Sequence, residues 1–165
     1  MELLIVRHGP AGVRKDPHSS GRPDSRRPLT KEGRRKTRAA AAGLARALDG
    51  APLVATSPWT RAAQTAELVG KALGAKVAVC PALIPDRPLD EVLAWLKTRR
   101  EKRIVLVGHE PQLSRLASWL MTGTDRSVLR LKKAQALLLE MRTPAPGGAV
   151  LLWSLAPRQL RSLSR

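Results

Sequence analysis

The stretch that decides the fold is Leu3-Leu4-Ile5-Val6-Arg7-His8-Gly9, where an apolar run meets polar residues at a sharp boundary. Four consecutive aliphatic side chains are typical of a β-strand that is buried on both faces. The same pattern recurs at Ile104–Val107, which is followed by Gly108 and His109. Two such strands favour a parallel sheet that helices cover on both faces.

The remainder of the chain alternates between strand and helix patterns. Further strands are predicted at Leu53–Thr56, Lys76–Cys80, Gln135–Glu140 and Val150–Ser154. Helices are predicted at 30–48, 57–73, 90–99 and 112–121, the second with Pro58 in its first turn. This order predicts an α/β fold, a three-layer α/β/α sandwich. Its central sheet should be mostly parallel, with an antiparallel C-terminal part.

The length of 165 residues suits one compact domain, which we place at 1–157. The basic segment 158–165 is predicted to be a frayed tail. Another irregular segment lies between Gly9 and Thr30, is rich in Pro, Gly and Arg, and contains His18. Loops of that length inside a compact domain are usually functional or disordered, and we expect one or the other here.

The charge of the chain is strongly positive, with 30 Lys and Arg against 13 Asp and Glu and a net charge of +17. Such a field favours anionic partners, although a biased composition with solvated arginines would give the same count. Nucleic acid is disfavoured among these partners because the sequence has no recognisable binding motif. It also offers few aromatic stacking groups, with four Trp and no Phe or Tyr.

The single cysteine, Cys80, excludes an internal disulfide and fits a reducing compartment. No stretch approaches the roughly 20 apolar residues of a membrane span. The opening apolar run is too short for a signal peptide. We therefore expect a cytoplasmic protein without a membrane partner.

The candidate functional residues follow the predicted strands. Ligands of open α/β sheets bind beyond the carboxyl ends of the strands. Arg7 and His8, Ser57 and His109 all occupy such ends, so they are predicted to converge. A single histidine is more often structural than catalytic, but two in equivalent positions beside an arginine indicate a reactive site.

Imidazole and guanidinium together suit phosphate chemistry. A neutral imidazole is nucleophilic near pH 7, and the planar guanidinium matches the oxygens of a phosphate group. Arg7 flanks His8, and Arg61 lies near the start of a predicted helix whose amides also favour an anion. Most of the other arginines are expected to be solvated.

Other phosphate chemistries lack their residues in this sequence. A cysteine phosphatase needs an arginine six positions after its cysteine, where Cys80 is followed by Asp86. There is no glycine-rich loop ending in Gly-Lys-Ser or Gly-Lys-Thr. Since no group of His, Asp and Glu has convincing metal-ligand spacing, we predict a reaction without metal or other cofactor.

Four blocks of sequence resemble the histidine phosphatase superfamily, which includes the phosphoglycerate mutases. They are Ile5–Gly9, Arg27–Gly33, Thr56–Thr65 and Leu106–Pro111, in the order of the family. The short chain and the second and fourth blocks look most like the small phosphohistidine phosphatase branch typified by SixA. The resemblance implies a phosphoglycerate mutase-like fold.

The resemblance also implies roles for individual residues. His8 would be the nucleophile that is transiently phosphorylated, while Arg7, Arg61 and His109 hold the phosphoryl oxygens. Further substrate contacts would come from Gly9, Ser57 and Arg27. One ring nitrogen of His8 is expected to donate to a backbone carbonyl, which leaves the other free to attack. By contrast, Leu29 and Thr30 are expected to seal the core and cap a helix, and Lys132 and Lys133 to be solvated.

One departure from the family concerns the proton donor. Many relatives have an acidic residue after the third strand, where this chain has Pro85. Asp86 and Asp90 follow, but neither is in register. A phosphoramidate such as phosphohistidine needs less acid catalysis than an alkyl phosphate ester, so this absence favours a phosphohistidine substrate.

The sequence leaves three functions open. The first is removal of phosphate from a phosphohistidine-bearing protein, which an open site without lid insertions would admit. The second is hydrolysis of a small phosphorylated molecule on the same fold. The third is a non-catalytic module that binds phosphorylated protein or polyphosphate. For all three we expect anions such as phosphate or sulfate to bind the site.

Overall fold

The secondary structure is that of a computed structural model, which describes residues 1–13, 23–50 and 52–164. Its strands are β1 Glu2–Arg7, β2 Leu53–Thr56, β3 Val77–Val79, β4 Arg103–Gly108, β5 Ala136–Met141 and β6 Ala149–Leu155. Its helices are α1 Lys31–Arg46, α2 Thr60–Leu73, α3 Leu89–Lys97, α4 Gln112–Thr122 and α5 Pro157–Leu163. Short 3-10 turns cover Asp24–Arg26 and Pro81–Leu83. Residues 14–22 of the predicted loop, which include His18, lie outside the described residues.

The strands form one sheet in the order β3-β2-β4-β1-β5-β6. The first four strands are parallel to one another, while β5 is antiparallel to β1 and β6 is antiparallel to β5. The predicted topology is therefore confirmed. It places the carboxyl ends of β1, β2 and β4 side by side at one edge of the sheet.

Two apolar layers lie on opposite faces of this sheet. Alternate side chains of β1 enter different layers, as the pleat of a strand requires. Leu4 and Val6 pack in the layer of α1, α2 and α5, whereas Leu3 and Ile5 pack in the layer of α3 and α4. The predicted three-layer sandwich is thus observed, and buried Cys80 belongs to the second layer.

Helix α1 begins as its sequence predicts. The side chain of Thr30 accepts a hydrogen bond of 2.9 Å from the amide of Gly33, which makes Thr30 the N-cap. Leu29 is buried immediately before it. Both residues of this block therefore have the structural roles expected of them.

Helix α2 begins later than predicted, at Thr60 rather than at Ser57 and Pro58. Ser57 follows the last residue of β2 and is still hydrogen-bonded to the neighbouring strand, because its amide donates to Val107 O at 3.0 Å. Trp59, in extended backbone conformation, is the residue that precedes the helix. The helix start predicted from Pro58 was wrong because a proline fixes only its own φ angle. It does not determine whether the next residue adopts a helical conformation.

The predicted frayed tail is also wrong, since residues 157–163 form helix α5. Leu160 is 2 % exposed and packs in the layer of α1 and α2. The backbone of α5 lies so near α1 that a Cβ atom on Gly43 would fall 1.7 Å from Leu160 O. The helix therefore depends on a docking site far away in sequence. Residue 165, at the end of the predicted tail, lies outside the described residues.

In the described parts of the chain, no helix combines the length and apolar character that crossing a membrane requires.

Candidate active site

The predicted site residues meet at the carboxyl ends of β1, β2 and β4. The amide of His8 donates to Gly108 O at 3.0 Å, which joins the ends of β1 and β4. The ring centroids of His8 and His109 lie 5.1 Å apart. The convergence inferred from the sequence is therefore observed for these histidines and for the neighbouring Ser57.

The two ring nitrogens of His8 have different partners. Nδ1 lies 2.7 Å from Gly9 O, and Nε2 lies 3.1 Å from the Nε atom of Arg61. A guanidinium group can only donate, so Nε2 must accept and carry the lone pair. The proton of a neutral ring is then on Nδ1, which donates to the Gly9 carbonyl. The expected hydrogen bond from His8 to a backbone carbonyl is confirmed.

His8 is held in its neutral form. Burial lowers its pKa to about 3, with smaller contributions from the charges of Arg61, Arg7 and Lys133, while the Gly9 carbonyl acts in the opposite direction. The lone pair on Nε2 is therefore available across the physiological pH range. Lys133 is exposed, as expected, yet its charge acts on the site.

His109 is anchored through its Nε2 atom, which lies 3.0 Å from Ser57 Oγ. Ser57 Oγ also accepts from the amide of Trp59 at 3.3 Å. With the Ser57 hydroxyl assigned as the donor to His109 Nε2, the ring proton of His109 is on Nδ1, which is buried without a partner among the described residues. Burial is also the main reason why the pKa of His109 falls to about 3.

Arg7 is fixed at one end of its guanidinium group. Nη1 donates to Leu131 O at 2.7 Å, while Nε is buried without a partner in the described part of the chain. The amide of Leu131 donates to Glu110 Oε1 at 3.0 Å, so the backbone of one residue, Leu131, connects Arg7 with Glu110. Burial lowers the pKa of Arg7, and the charge of Glu110 opposes this shift.

Arg61 is the most buried cation of the site, with 4 % of its surface exposed. Besides its contact with His8, Nη1 donates to the backbone oxygen of Asp24 at 2.9 Å and Nη2 to the Asp24 carboxylate at 3.2 Å. Its guanidinium carbon lies 4.7 Å from the centroid of the Trp59 ring. The arginine is therefore held on several sides next to His8.

Gly9 helps to hold the chain that follows His8. Its amide donates to Thr65 Oγ1 at 3.0 Å, and the Thr65 hydroxyl donates to Arg61 O at 2.7 Å. A Cβ atom at Gly9 would lie 2.0 Å from Thr37 Oγ1, so a larger residue does not fit. The observed contacts of Gly9 are thus with the protein framework, and a direct substrate contact stays a prediction.

Arg27 is joined to the site through Asp24. Its Nε donates to Asp24 Oδ1 at 2.8 Å and its Nη1 to Gly12 O at 2.5 Å. These contacts place Arg27 behind Arg61 relative to His8. Its predicted role as a substrate ligand also stays a prediction.

Sequence reasoning missed Asp24, the carboxylate that contacts Arg61. It looked for an acidic group after β3, where Asp86 is exposed and has a left-handed backbone with φ of 69°. The only local signal for Asp24 is the spacing of three residues to Arg27. That spacing cannot reveal a contact with Arg61, which is 37 positions away. Thr65 lies in the third family block, and the resemblance implies no role for it.

The described residues contain no group of three or more His, Cys, Asp or Glu side chains that could hold a metal ion. The reaction without a metal stays a prediction from the chemistry of the site residues.

Comparison with known proteins identifies the class to which this fold and site belong. The profile of the histidine phosphatase superfamily (branch 1) matches residues 3–84. An uncharacterized protein of Picosynechococcus is 38 % identical over 138 residues, which is 81 % of each chain. The chain belongs to the histidine phosphatase superfamily.

Within the superfamily, the chain groups with the SixA type in both sequence and fold. It is 26 % identical to phosphohistidine phosphatase SixA of Escherichia coli over 166 residues, which covers 98 % of this chain and 97 % of SixA. The structure of SixA complexed with tungstate superposes with a TM-score of 0.80 at 25 % identity, covering 97 % of this chain and 99 % of the other. The expected phosphoglycerate mutase-like fold is therefore confirmed.

Proposed function

We propose that this protein is a phosphatase that removes phosphate from phosphohistidine in other proteins and uses His8 as its nucleophile. The observation that carries the proposal is the state of His8. Nδ1 is committed to the Gly9 carbonyl at 2.7 Å, and Nε2 keeps its lone pair beside the Arg61 guanidinium at 3.1 Å. An imidazole in this tautomer has an unprotonated Nε2, which can attack phosphorus once a phosphoryl group takes over the Arg61 contact.

Two buried donors near His8 support an anionic substrate. Arg7 Nε and His109 Nδ1 have no hydrogen-bond partner among the described residues. Buried donors are normally satisfied, and leaving one unsatisfied costs about 1–3 kcal/mol. The oxygens of a phosphoryl group would satisfy both donors. They would also place the developing negative charge among fixed cations.

The reaction then has two steps. In the first, the His8 Nε2 lone pair forms a bond to phosphorus, and the bond to the leaving imidazole nitrogen breaks with its electron pair. The leaving imidazole departs neutral when it has been protonated beforehand. In the second step a water molecule attacks phosphorus, the N–P bond returns its electron pair to His8, and the water proton passes to solvent or phosphate.

The phosphohistidine substrate is supported by the leaving-group chemistry and by the SixA likeness. Pro85 occupies the position of the family's proton donor, and Asp86 beside it is exposed. Both oxygens of Glu110 already accept hydrogen bonds, from Leu131 N at 3.0 Å and from Ser114 Oγ at 2.5 Å. A nitrogen leaving group that arrives protonated does not require such a donor. We place the reaction in the cytoplasm, which agrees with a buried free thiol at Cys80.

The test is phosphate release from a phosphohistidine-bearing protein and from p-nitrophenyl phosphate, without added metal and with a chelator present. Wild type is compared with His8→Ala and His109→Ala. We expect wild type to act faster on the phosphoprotein and His8→Ala to be inactive. Rapid alkaline quenching should trap labelled phosphate on wild type and on His109→Ala, but not on His8→Ala.

The outcomes separate the alternatives. Faster turnover of the small ester than of the phosphoprotein would indicate a small-molecule phosphomonoesterase. Binding of the phosphoprotein without release of phosphate, by a folded wild type, would indicate a non-catalytic module. Activity that survives in His8→Ala would contradict the assignment of His8 as the nucleophile.

A further inference from the structure

A chain of hydrogen bonds runs from the loop before α1 to the nucleophile. It passes from Gly12 through Arg27, Asp24 and Arg61 to His8. Resting on the proposed function, we propose that Asp24 is a positioning residue that aims Arg61 at the phosphoryl group, and that Arg27 acts only by holding Asp24. In this proposal the reacting group contacts Arg61 and His8, whereas Asp24 and Arg27 act without touching it.

The geometry of the guanidinium group supports this assignment. Its end edge, formed by Nη1 and Nη2, is occupied by two acceptors of one residue, the Asp24 backbone oxygen at 2.9 Å and carboxylate at 3.2 Å. Nε, on the other edge, points at His8 Nε2 at 3.1 Å. A guanidinium group offers five N–H donors in a rigid plane, so fixing one edge fixes the direction of the other. The edge that faces His8, whose Nε–H donates to His8 Nε2, is the one that this proposal places against a phosphoryl oxygen during transfer.

Burial makes a counter-charge necessary at this place. The side chain of Arg61 is 5 % exposed and that of Asp24 is 22 % exposed. A cation this buried is destabilised unless an opposite charge with hydrogen bonds compensates for the lost water. Asp24 supplies this compensation in the free protein. Arg61 is therefore charged and oriented before a substrate arrives.

Arg27 is positioned to hold Asp24 from the outside. Its Nε donates to Oδ1 at 2.8 Å, whereas Arg61 uses Oδ2, so the carboxylate bridges two guanidinium groups. The second contact of Arg27, to Gly12 O at 2.5 Å, fixes it to the chain shortly after β1. Arg27 can thus influence the phosphate site through Asp24 without binding phosphate itself.

A role for Asp24 as proton donor fits this arrangement less well. Both of its oxygens already accept from guanidinium groups, at 2.8 and 3.2 Å. A protonated carboxyl would have to give up one of these bonds to hold its proton. The two roles also predict different dependence on the leaving group, because only a proton donor matters more as the leaving group becomes more basic.

The first experiment measures kcat and KM of wild type, Asp24→Ala and Asp24→Asn on aryl phosphates of graded leaving-group pKa. The exposed Asp86→Asn is the matched control. We expect Asp24→Ala to lose roughly 100-fold in kcat, as when a catalytic group is misplaced by about 1 Å. Asp24→Asn should recover part of this loss, because its amide oxygen can accept from Arg61 Nη2. The loss should be equal for all leaving groups.

A loss that grows with leaving-group pKa would overturn the positioning role and make Asp24 the proton donor. An unchanged kcat in Asp24→Ala would also overturn it. Asp86→Asn should match wild type throughout. Circular dichroism and the thermal midpoint show whether each variant is folded.

The second experiment is a double-mutant cycle with Arg27→Ala. If Arg27 acts only through Asp24, adding Arg27→Ala to Asp24→Ala should cause no further loss in kcat or KM. An additional increase in KM in the double variant would show that Arg27 binds the substrate directly. That result would contradict the proposal that Arg27 acts only by holding Asp24.

A readout without turnover separates this inference from the proposed function. The Arg61 Nε–H resonance in a ¹⁵N spectrum, assigned by its loss in Arg61→Lys, should exchange slowly with water in wild type and in Asp86→Asn. It should exchange much faster in Asp24→Ala. If wild type shows this exchange pattern but has no activity, the phosphatase function is refuted, while the positioning of Arg61 by Asp24 is still supported. Equal exchange in Asp24→Ala would refute the positioning.

Discussion

At the scale of single residues, the two buried histidines should make stability depend on pH. The pKa values of His8 and His109 are about 3 in the folded protein, against about 6.5 in an unfolded chain. Between these values the unfolded chain binds more protons, so the free energy of unfolding must fall as the pH decreases. The contribution of both rings is complete above the unfolded value and is lost as the pH falls through the folded value.

We therefore expect the urea midpoint of wild type to fall more steeply between pH 7 and pH 4.5 than that of His8→Asn or His109→Asn. The urea midpoint of the double variant should depend on pH even less. Carboxylate titration contributes to all of these proteins alike, so it cancels in the comparison. Parallel curves for wild type and the double variant would show that the histidines are not held neutral.

The sequence was sufficient to predict the location of the site residues that directly follow a strand. His8, Ser57 and His109 could be placed because a parallel sheet brings the carboxyl ends of its strands together. Asp24 could not be placed, because its partner Arg61 is reached through a loop whose path no local pattern specifies. A hydrogen bond from one His8 ring nitrogen to a backbone carbonyl was predicted, whereas the choice of Nδ1 and the Thr65 hydroxyl that holds Gly9 were not.

At the scale of elements, the contact between α1 and α5 decides the effect of a glycine substitution. Replacing an interior helical glycine by alanine normally stabilises a helix by about 1 kcal/mol. At Gly43 the added Cβ would lie 1.7 Å from Leu160 O, a backbone atom that cannot move without displacing α5. We expect Gly43→Ala to lower the thermal midpoint and to increase hydrogen exchange in α5.

Ala42→Ser is the matched control for this prediction, because it changes the exposed neighbouring position of the same helix. It should change stability by no more than about 0.5 kcal/mol. A Gly43→Ala protein at least as stable as wild type would mean that α5 does not lie against α1 as described.

The start of α1 was predictable because its cap is encoded locally. Thr30 caps α1 through its own side chain, so the four residues 30–33 contain the whole signal. Trp59 has no capping side-chain bond, and α2 starts where the Ser57 turn leaves the sheet. The location of α5 depends on a surface offered by α1, which the basic sequence of the tail does not reveal.

At the scale of the whole molecule, the net charge of +17 should accelerate capture of acidic phosphoproteins. Screening shortens the range of this attraction from about 30 Å at 0.01 M salt to about 10 Å at 0.1 M. We expect kcat/KM for an acidic phosphohistidine protein to fall over this range, with a smaller fall for p-nitrophenyl phosphate.

The small ester is the control because it has two charges at most and tests the site without the surrounding surface. Equal salt dependence for both substrates would show that only the site arginines attract the anion. No dependence for either would show that the excess of arginine does not serve capture.

The pairing of β1 has a consequence for the order of events during synthesis. Its neighbours are β4 at 103–108 and β5 at 136–141. The strand that precedes His8 can therefore complete its pairing only after more than a hundred further residues have been synthesised. His109 and Leu131, which complete the surroundings of His8 and Arg7, are also made late. A ribosome-bound chain that ends before β4 therefore contains His8 but not the strand that completes its surroundings. We expect the candidate site to form late, when the first strand is enclosed between the fourth and the fifth.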